Sequence, residues 1–278
     1  MPDSTLEAAG SISAAPAIDR SKPKVSANGA LTFVVPILLL AAWYITTEVT
    51  HSFAPNQVSS PLVVFGTARD LLESGDLARH VGASIGRVAV GFAVGAFVAM
   101  VVATAVGLWR PIEQLLDPTL QAIRSVPSLA WVPFLLLWMG IDEAPKITLI
   151  AIGAFFPVYV NAVSGIRQVD RKLIEVGYIF ELNNLELVRR IVLPAASPFL
   201  LTGLRVGLGQ GWLFLVAAEL IASTRGLGFM LIDGQNSSRP DIMLVGILSL
   251  ALLGKLSDGL LRQVEQRALN WNDTFQGR

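Results

Sequence analysis

No cysteine occurs among the 278 residues. Disulfides, thiolate metal sites and a cysteine nucleophile are thereby excluded together. Histidine is scarce too, limited to His51 and His80, and no HExxH is present, so metal-assisted hydrolysis lacks its usual parts. There is no GxxxxGKS/T loop, so the chain cannot hold ATP in the usual way. Charged residues make up only 15%, against roughly 25% in soluble domains. Lys plus Arg and Asp plus Glu are 21 each, a net charge of +0 that gives no reason to expect a nucleic-acid partner. No internal repeat with paired broken helices is visible, as a secondary transporter or stand-alone channel would need. What is abundant is apolar: 53% of residues, with a mean hydropathy of +0.59. The composition predicts an all-α integral membrane protein.

Residues 1–29 are rich in Ser, Ala and Pro and contain no apolar run long enough for a secretory signal. They read as a disordered cytoplasmic tail ahead of a membrane domain at 30–278. Crossing ~30 Å of hydrocarbon takes about 20 mostly apolar residues at ~1.5 Å each. Six segments qualify: Leu31–Val49, Ser84–Leu108, Leu120–Trp138, Ile147–Ile166, Phe199–Ala222 and Ile242–Leu261. Six spans place both termini on one side. Arg20, Lys22, Lys24, Arg110, Arg167, Arg171, Lys172, Arg189, Arg190, Arg262, Arg267 and Arg278 share that side, whereas Arg69, Arg79, Lys146, Arg225 and Arg239 lie opposite. The positive-inside bias makes the first side cytoplasmic. On the other side, Ser59–His80 carries Val63, Val64, Ala68, Leu71 and Leu72 at helical spacing, which fits either a helix lying on the membrane or one capping the bundle.

Gly91 and Gly95, and then Gly203, Gly207 and Gly211, recur every four residues and predict faces where helix backbones approach closely. Pro127, Pro133 and Pro157 interrupt the third and fourth spans; each removes a backbone donor, leaving either a simple bend or a kink beside a translocation path. Each ionisable group inside a span costs on the order of 2.5–3.5 kcal/mol on insertion scales. Arg87, Arg124, Arg205, Glu219, Lys255 and Asp258 are such groups. Lys255 and Asp258, three apart, are expected to pair. Arg124, just before Pro127, either attracts a passing anion or plays a structural part. Arg205 faces the path, caps carbonyls or pairs with a carboxylate. Glu219 suits a gate or a receptor contact, or else a buried hydrogen-bonded role. Asn161 and Gln210 could offer neutral hydrogen bonds to an oxyanion or act as polar glue between helices. These six, Arg124, Pro127, Asn161, Arg205, Gln210 and Glu219, are the candidate path. No catalytic residue and no metal ligand is expected.

The segment at about 167–197 is polar at its start and amphipathic afterwards. Leu173, Val176, Gly177 and Phe180 share one helical face, and Leu185, Val188 and Val192 repeat the pattern after Asn183-Asn184. Two short helices joined by a turn are predicted. In register, Glu175, Ile191, Leu193 and Pro194 resemble the EAA motif of importer permeases in the ATP-binding-cassette superfamily. The motif's usual Glu-Ala-Ala is here Glu175, Val176 and Gly177, and its usual turn glycine is Glu181. Because a carboxylate-bearing residue lacks glycine's freedom, the turn is expected two residues later, at Asn183 and Asn184. Arg189 and Arg190 would face an acidic ATPase surface, solvent or lipid head groups.

The resemblance continues through SSPLVV, ASIGRVAVGF, AIRSVPSLAWVPFLLLWMGIDEAPKI, FFPVYVNAVSGIRQVDRKLIE, LPAASPFLLTGLRVGLGQGWLFLVAAE and LLGKLSD to the terminal NWN. It points to the branch that handles sulfonates, nitrate and taurine, and GIDEAPKI, GIRQVDR and LLGKLSD are most similar to the aliphatic sulfonate permease subunit. The resemblance implies a type I importer bundle of six helices in the inner membrane, with coupling helices seated in an ATPase cleft. Glu175, Gly177, Glu181, Asn183, Asn184, Arg189, Arg190, Leu193 and Pro194 would form that contact. It also implies a second copy of this chain, two ATPase subunits that bind the ATP and Mg, a periplasmic or lipid-anchored solute-binding protein, and membrane lipid as partners. The permease itself would bind no cofactor and would not be catalytic.

Overall fold

In the computed structural model, residues 31–54 and 56–269 are described, and all regular structure among them is helical. The expected tail at 1–29 lies outside these residues. The chain divides into two compact units, 1–42 and 43–278. In the first, the described residues belong to the apolar helix α1, Leu31–Tyr44.

The second unit opens with a π turn, Ile45–Val49, and the Trp43 indole donates to the Ser59 carbonyl at 3.1 Å. Helix α2, Pro61–Glu73, starts where sequence rules favour a start: the Ser60 hydroxyl accepts from the Val63 N–H and Pro61 occupies the first turn. Its Val64, Ala68 and Leu71 pack with Leu77, Leu227, Met230, Ile242 and Val245, so the segment caps the bundle. Leu62, Val63 and Phe65 remain exposed, which leaves an apolar outer face as well.

Helix α3, Asp76–Leu108, is followed by α4, Arg110–Ser125, and then by a 3₁₀ turn, Ser128–Trp131, leading into α5, Val132–Met139. The continuous third span expected at Leu120–Trp138 is therefore not observed: the two halves meet at a bend of 89°. The cause is local. Pro127 has no N–H to continue the ladder, and it drives Val126 into extended backbone (φ −77, ψ 126).

Next come α6 (Glu143–Arg167), α7 (Arg171–Ile179) and α8 (Asn184–Leu187). A π turn, Val188–Val192, joins α8 to α9, Leu193–Ala222, and α10 (Leu227–Asn236) and α11 (Pro240–Ala268) complete the described chain. Four helical stretches are long and apolar enough to cross a membrane: Asp76–Leu108, Glu143–Arg167, Asn184–Ile221 and Pro240–Ala268. The bent pair makes five if counted as one span, and Phe33–Val49 is apolar but shorter. The six expected segments are all helical, but one of them is broken and one is short.

Helix α6 is the hub. An added Cβ at Gly91 would meet the Ile150 side chain at 2.7 Å, one at Gly203 would meet Asn161 at 2.8 Å, and one at Gly207 would meet Val158 at 2.8 Å. Both glycine ladders thus close on α6, from α3 on one side and α9 on the other, as small-residue faces should. Between them Ala99, Ala103, Val158, Ala162, Val192 and Ala196 form the centre of the core.

Candidate functional site

Two regions at opposite ends of α6 carry the chain's unusual side chains. At ~1.5 Å per residue its 25 residues separate them by roughly 37 Å.

At the α7 end, Asp170 caps α7 by accepting from the Lys172 N–H at 2.9 Å. The helix terminates in a reciprocal turn: Leu182 N–H donates to the Gly177 carbonyl at 3.1 Å and Glu181 N–H to the Tyr178 carbonyl at 3.0 Å. This pairing requires a left-handed residue between them, and Glu181 takes it, with φ 52. The expectation that Asn183 and Asn184 would form the turn is therefore corrected. Asn183 is extended (φ −70, ψ 165) and caps α8, its Oδ1 accepting from Glu186 N–H at 2.9 Å while Glu186 Oε2 accepts from Asn183 N–H at 3.2 Å. Local hydrogen bonding makes Asn worth more as a cap here than as a left-handed residue, and the whole left-handed cost of about 1–2 kcal/mol falls on Glu181.

The second expected short helix is also corrected. Helix α8 runs through the π turn into α9 without a break, so the segment after the turn and the fifth span form one stretch, Asn184–Ile221. The register widens at Val188–Val192, immediately before Pro194, whose missing N–H deprives the ladder of a donor there. Gly177 is buried where any side chain would run into Leu187 and Ile191. Ile191 and Leu193 pack on the core, whereas Pro194, Arg189 and Arg190 are exposed. Glu175 is paired with Arg171 at 3.2 Å and Arg190 with Glu186 at 3.5 Å. Around the turn, Ile179 (78%), Phe180 (73%) and Leu185 (77%) project outward. Phe180 thus leaves the face shared with Gly177 that the spacing predicted.

At the opposite end lies a buried charge network. The guanidinium of Arg87, 7% exposed, donates from Nε to Glu143 Oε2 at 2.6 Å and from Nη2 to Glu143 Oε1 at 2.7 Å; its Nη1 donates to Glu219 Oε1 at 2.7 Å and to the Arg225 carbonyl at 2.6 Å. Glu219, 1% exposed, also accepts from Ser84 Oγ at 2.8 Å and from Gly228 N–H at 2.8 Å. Lys146 Nζ reaches Glu143 at 3.2 Å, Leu227 N–H donates to Ser84 Oγ at 2.9 Å, and Gly226 N–H donates to His80 Nδ1 at 3.0 Å. Gly226 has φ +126, and a Cβ there would strike the Glu219 carboxyl, so only glycine closes this loop over the network. Glu219 therefore takes the buried, hydrogen-bonded reading. Ser84, Glu143, Lys146 and His80 lie outside the site expected from the sequence, although His80, Ser84 and Arg87 at i, i+4 and i+7 form a polar stripe on one face of α3.

The other path candidates stay apart: no hydrogen bond or ion pair joins any two of the six among the described residues. Asn161 donates to the Pro157 carbonyl of its own helix at 2.8 Å. Arg205 holds Asp258 (Nε to Oδ1, 3.0 Å) and Glu265 (Nη1 to Oε2, 2.9 Å) on α11, so Asp258 pairs with Arg205 and not with Lys255 as expected. The longer, forked guanidinium outcompetes a lysine that shares the helix with its target. Gln210 is half-buried on α9. Arg124 and Pro127 are exposed at the bend, beside an open apolar groove lined by Val94, Val98, Ile123, Trp131, Phe155 and Phe156.

This architecture, a helical membrane bundle with an exposed apolar turn projecting between α6 and α9, defines a polytopic membrane protein built to meet something at one end. Residues 81–270 match the family described as the binding-protein-dependent transport system inner membrane component, and the chain belongs to that family. It is 39% identical over 244 residues to SsuC of Bacillus subtilis strain 168, whose name assigns it to aliphatic sulfonates transport as a permease, covering 88% of each chain. It is 34% identical to the taurine transport system permease protein TauC of Escherichia coli K12 (86% and 88% covered) and 30% identical to the nitrate import permease protein NrtB of a Synechocystis species (83% and 87% covered). Among solved structures, an inward-facing form of the MetNI methionine ABC transporter aligns with a TM-score of 0.54 at 20% identity, covering 69% of this chain and 97% of that one. That likeness establishes a shared fold. The chain is the permease component of an ABC importer.

Proposed function

We propose that this permease passes an aliphatic sulfonate through a homodimer of itself, after delivery by a solute-binding protein and under the drive of two ATPase subunits that bind the ATP and Mg. The observation that carries the reading is the segment Arg171–Arg190: a short helix and a reciprocal turn, tipped with exposed apolar side chains and continuous with α9. A docking helix joined without a break to a core helix moves that helix when its seat moves, which is what coupling to nucleotide-driven closure requires. Charge supports putting this end in the cytoplasm, with both termini. Opposite the α7 end, Arg69, Arg79, Lys146 and Arg239 each have a carboxylate partner and Arg225 has none, whereas at the α7 end Arg167, Arg171 and Arg190 are paired and Arg110, Lys172, Arg189, Arg262 and Arg267 are not, among the described residues. The excess of uncompensated cations at the α7 end is what the positive-inside bias retains.

The cargo rests on the 39% identity to SsuC; the lower identities to TauC and NrtB favour taurine and nitrate as the next readings. Arg124 and Gln210 remain candidates for the path, and specificity is delegated to the binding protein, so a weak site in the membrane suffices. The test is reconstitution of permease, ATPase and binding protein in vesicles. An alkanesulfonate bound to its receptor should stimulate ATP hydrolysis more than taurine or nitrate does; equal stimulation, or stimulation by nitrate alone, overturns the sulfonate reading. Glu175→Arg should abolish ATPase docking while the bundle stays folded, and normal transport by that variant would contradict the docking role.

A further inference from the structure

We propose that the Glu181 carboxylate is a partner-selecting contact, pairing with an arginine or lysine at the lip of the apolar ATPase cleft that receives the α7 turn. This rests on the docking reading above and gives Glu181 within it a specific role and a specific partner chemistry. Three observations converge on Glu181. Its backbone is left-handed, at φ 52, where glycine would sit without strain, so the position holds a side chain against local preference. Its carboxylate makes no hydrogen bond or ion pair among the described residues, whereas the neighbouring acids Glu175 and Glu186 are held by Arg171 and Arg190. And it is flanked by the exposed apolar side chains of Ile179, Phe180 and Leu185.

A loop tip meant only for solvent would be polar throughout; a single unpaired acid among large apolar groups is the pattern of a contact surface. When such a surface is covered the carboxylate loses water, and a cationic hydrogen-bond donor is what offsets that loss. The fixed turn also aims the group. The reciprocal hydrogen bonds from Leu182 and Glu181 leave the Glu181 Cα no freedom, so a cation placed elsewhere on a non-cognate ATPase would be missed.

The test uses the full chain in lipid nanodiscs, titrated with its purified ATPase subunit, with thermal unfolding measured in parallel. Glu181→Gly should raise the unfolding temperature by about 2–4 °C by relieving the left-handed strain, and yet weaken ATPase binding about three- to tenfold. Glu181→Gln keeps the strain and removes the charge, so it should weaken binding similarly with no gain in unfolding temperature. Binding by either variant as tight as that of the parent overturns the inference. If Leu185→Asp abolishes binding in the same assay, docking stands and only the role of Glu181 falls; if the parent itself does not bind, both fall. If the Glu181 variants change association with anionic-lipid vesicles and leave ATPase binding unchanged, the surface is a membrane contact and the inference is again overturned.

Discussion

The two ends of α6 solve the problem of charge in opposite ways. Around Arg87 the buried ionised groups, Arg87, Lys146 and Glu219, all have partners in the same chain, Glu143 joins them from the half-exposed rim, and a glycine loop closes over Glu219. Around Glu181 the backbone is locally strained, one acid and several cations lack partners, and large apolar side chains face outward. The first region is complete as a single chain. The second is complete in its backbone hydrogen bonds but not in its surface, which is what distinguishes a docking element from a structural one. A docking surface is thus recognised by pairing within the chain more than by hydrophobicity, because apolar side chains are exposed along much of a membrane protein.

The sharpest way to break this comparison is to open the complete end. Arg87→Leu would leave Glu219, 1% exposed, without its cation and would leave Glu143 held by Lys146 alone. Breaking a buried pair by removing one partner costs about 3–5 kcal/mol, so thermal unfolding in detergent should show a large loss of stability or no folded protein at all. The double variant Arg87→Leu with Glu219→Leu should recover part of that loss, since an apolar pair of similar volume avoids the unpaired charge. Next in size is Gly95→Leu, whose Cβ alone would collide with the Ala151 backbone on α6. Overpacking of about 1–3 kcal/mol is expected, read as a drop in unfolding temperature. At the other end, Asn183→Ala removes the cap of α8 and should cost about 1 kcal/mol, checked by the same melt.

How far these regions could be read in the sequence depends on whether the signal was local. The spans on α3, α6, α9 and α11 were legible because twenty apolar residues in a row have few alternatives, and the glycine ladders because backbone approach needs small residues at a fixed spacing. The third span is not legible as two halves because hydropathy averages across Pro127, whereas the bend there is made by two residues. Left-handed tolerance alone puts the turn two positions late, because Asn183 has a better use as a cap, with Glu186 three residues on to complete the box. The Arg87 network was half legible. The stripe of His80, Ser84 and Arg87 was present on α3, but Glu143 and Glu219 are 56 and 132 positions away from Arg87, and only the fold brings them to it. Helix α10 carried too short an apolar pattern to stand out.

Between the two ends, Arg205 tests where the structural territory stops. It ties α9 to Asp258 and Glu265 on α11, with its side chain 33% exposed, so solvent weakens both pairs. Arg205→Gln should therefore cost about 1 kcal/mol or less, a shift in unfolding temperature near the limit of detection. Transport separates the two readings that stability barely resolves. A structural Arg205 predicts that Arg205→Gln and Arg205→Lys lower transport only as far as they loosen the α9–α11 contact, and equally for every anion carried. An Arg205 that meets the cargo predicts a raised half-saturating concentration for anions with Arg205→Gln and partial rescue by Arg205→Lys, because a lysine keeps the charge while losing the fork that grips Asp258 through two nitrogens. The geometry favours the first outcome, since the Nε–Nη2 edge of the guanidinium is already committed to Asp258 and Nη1 to Glu265 on α11.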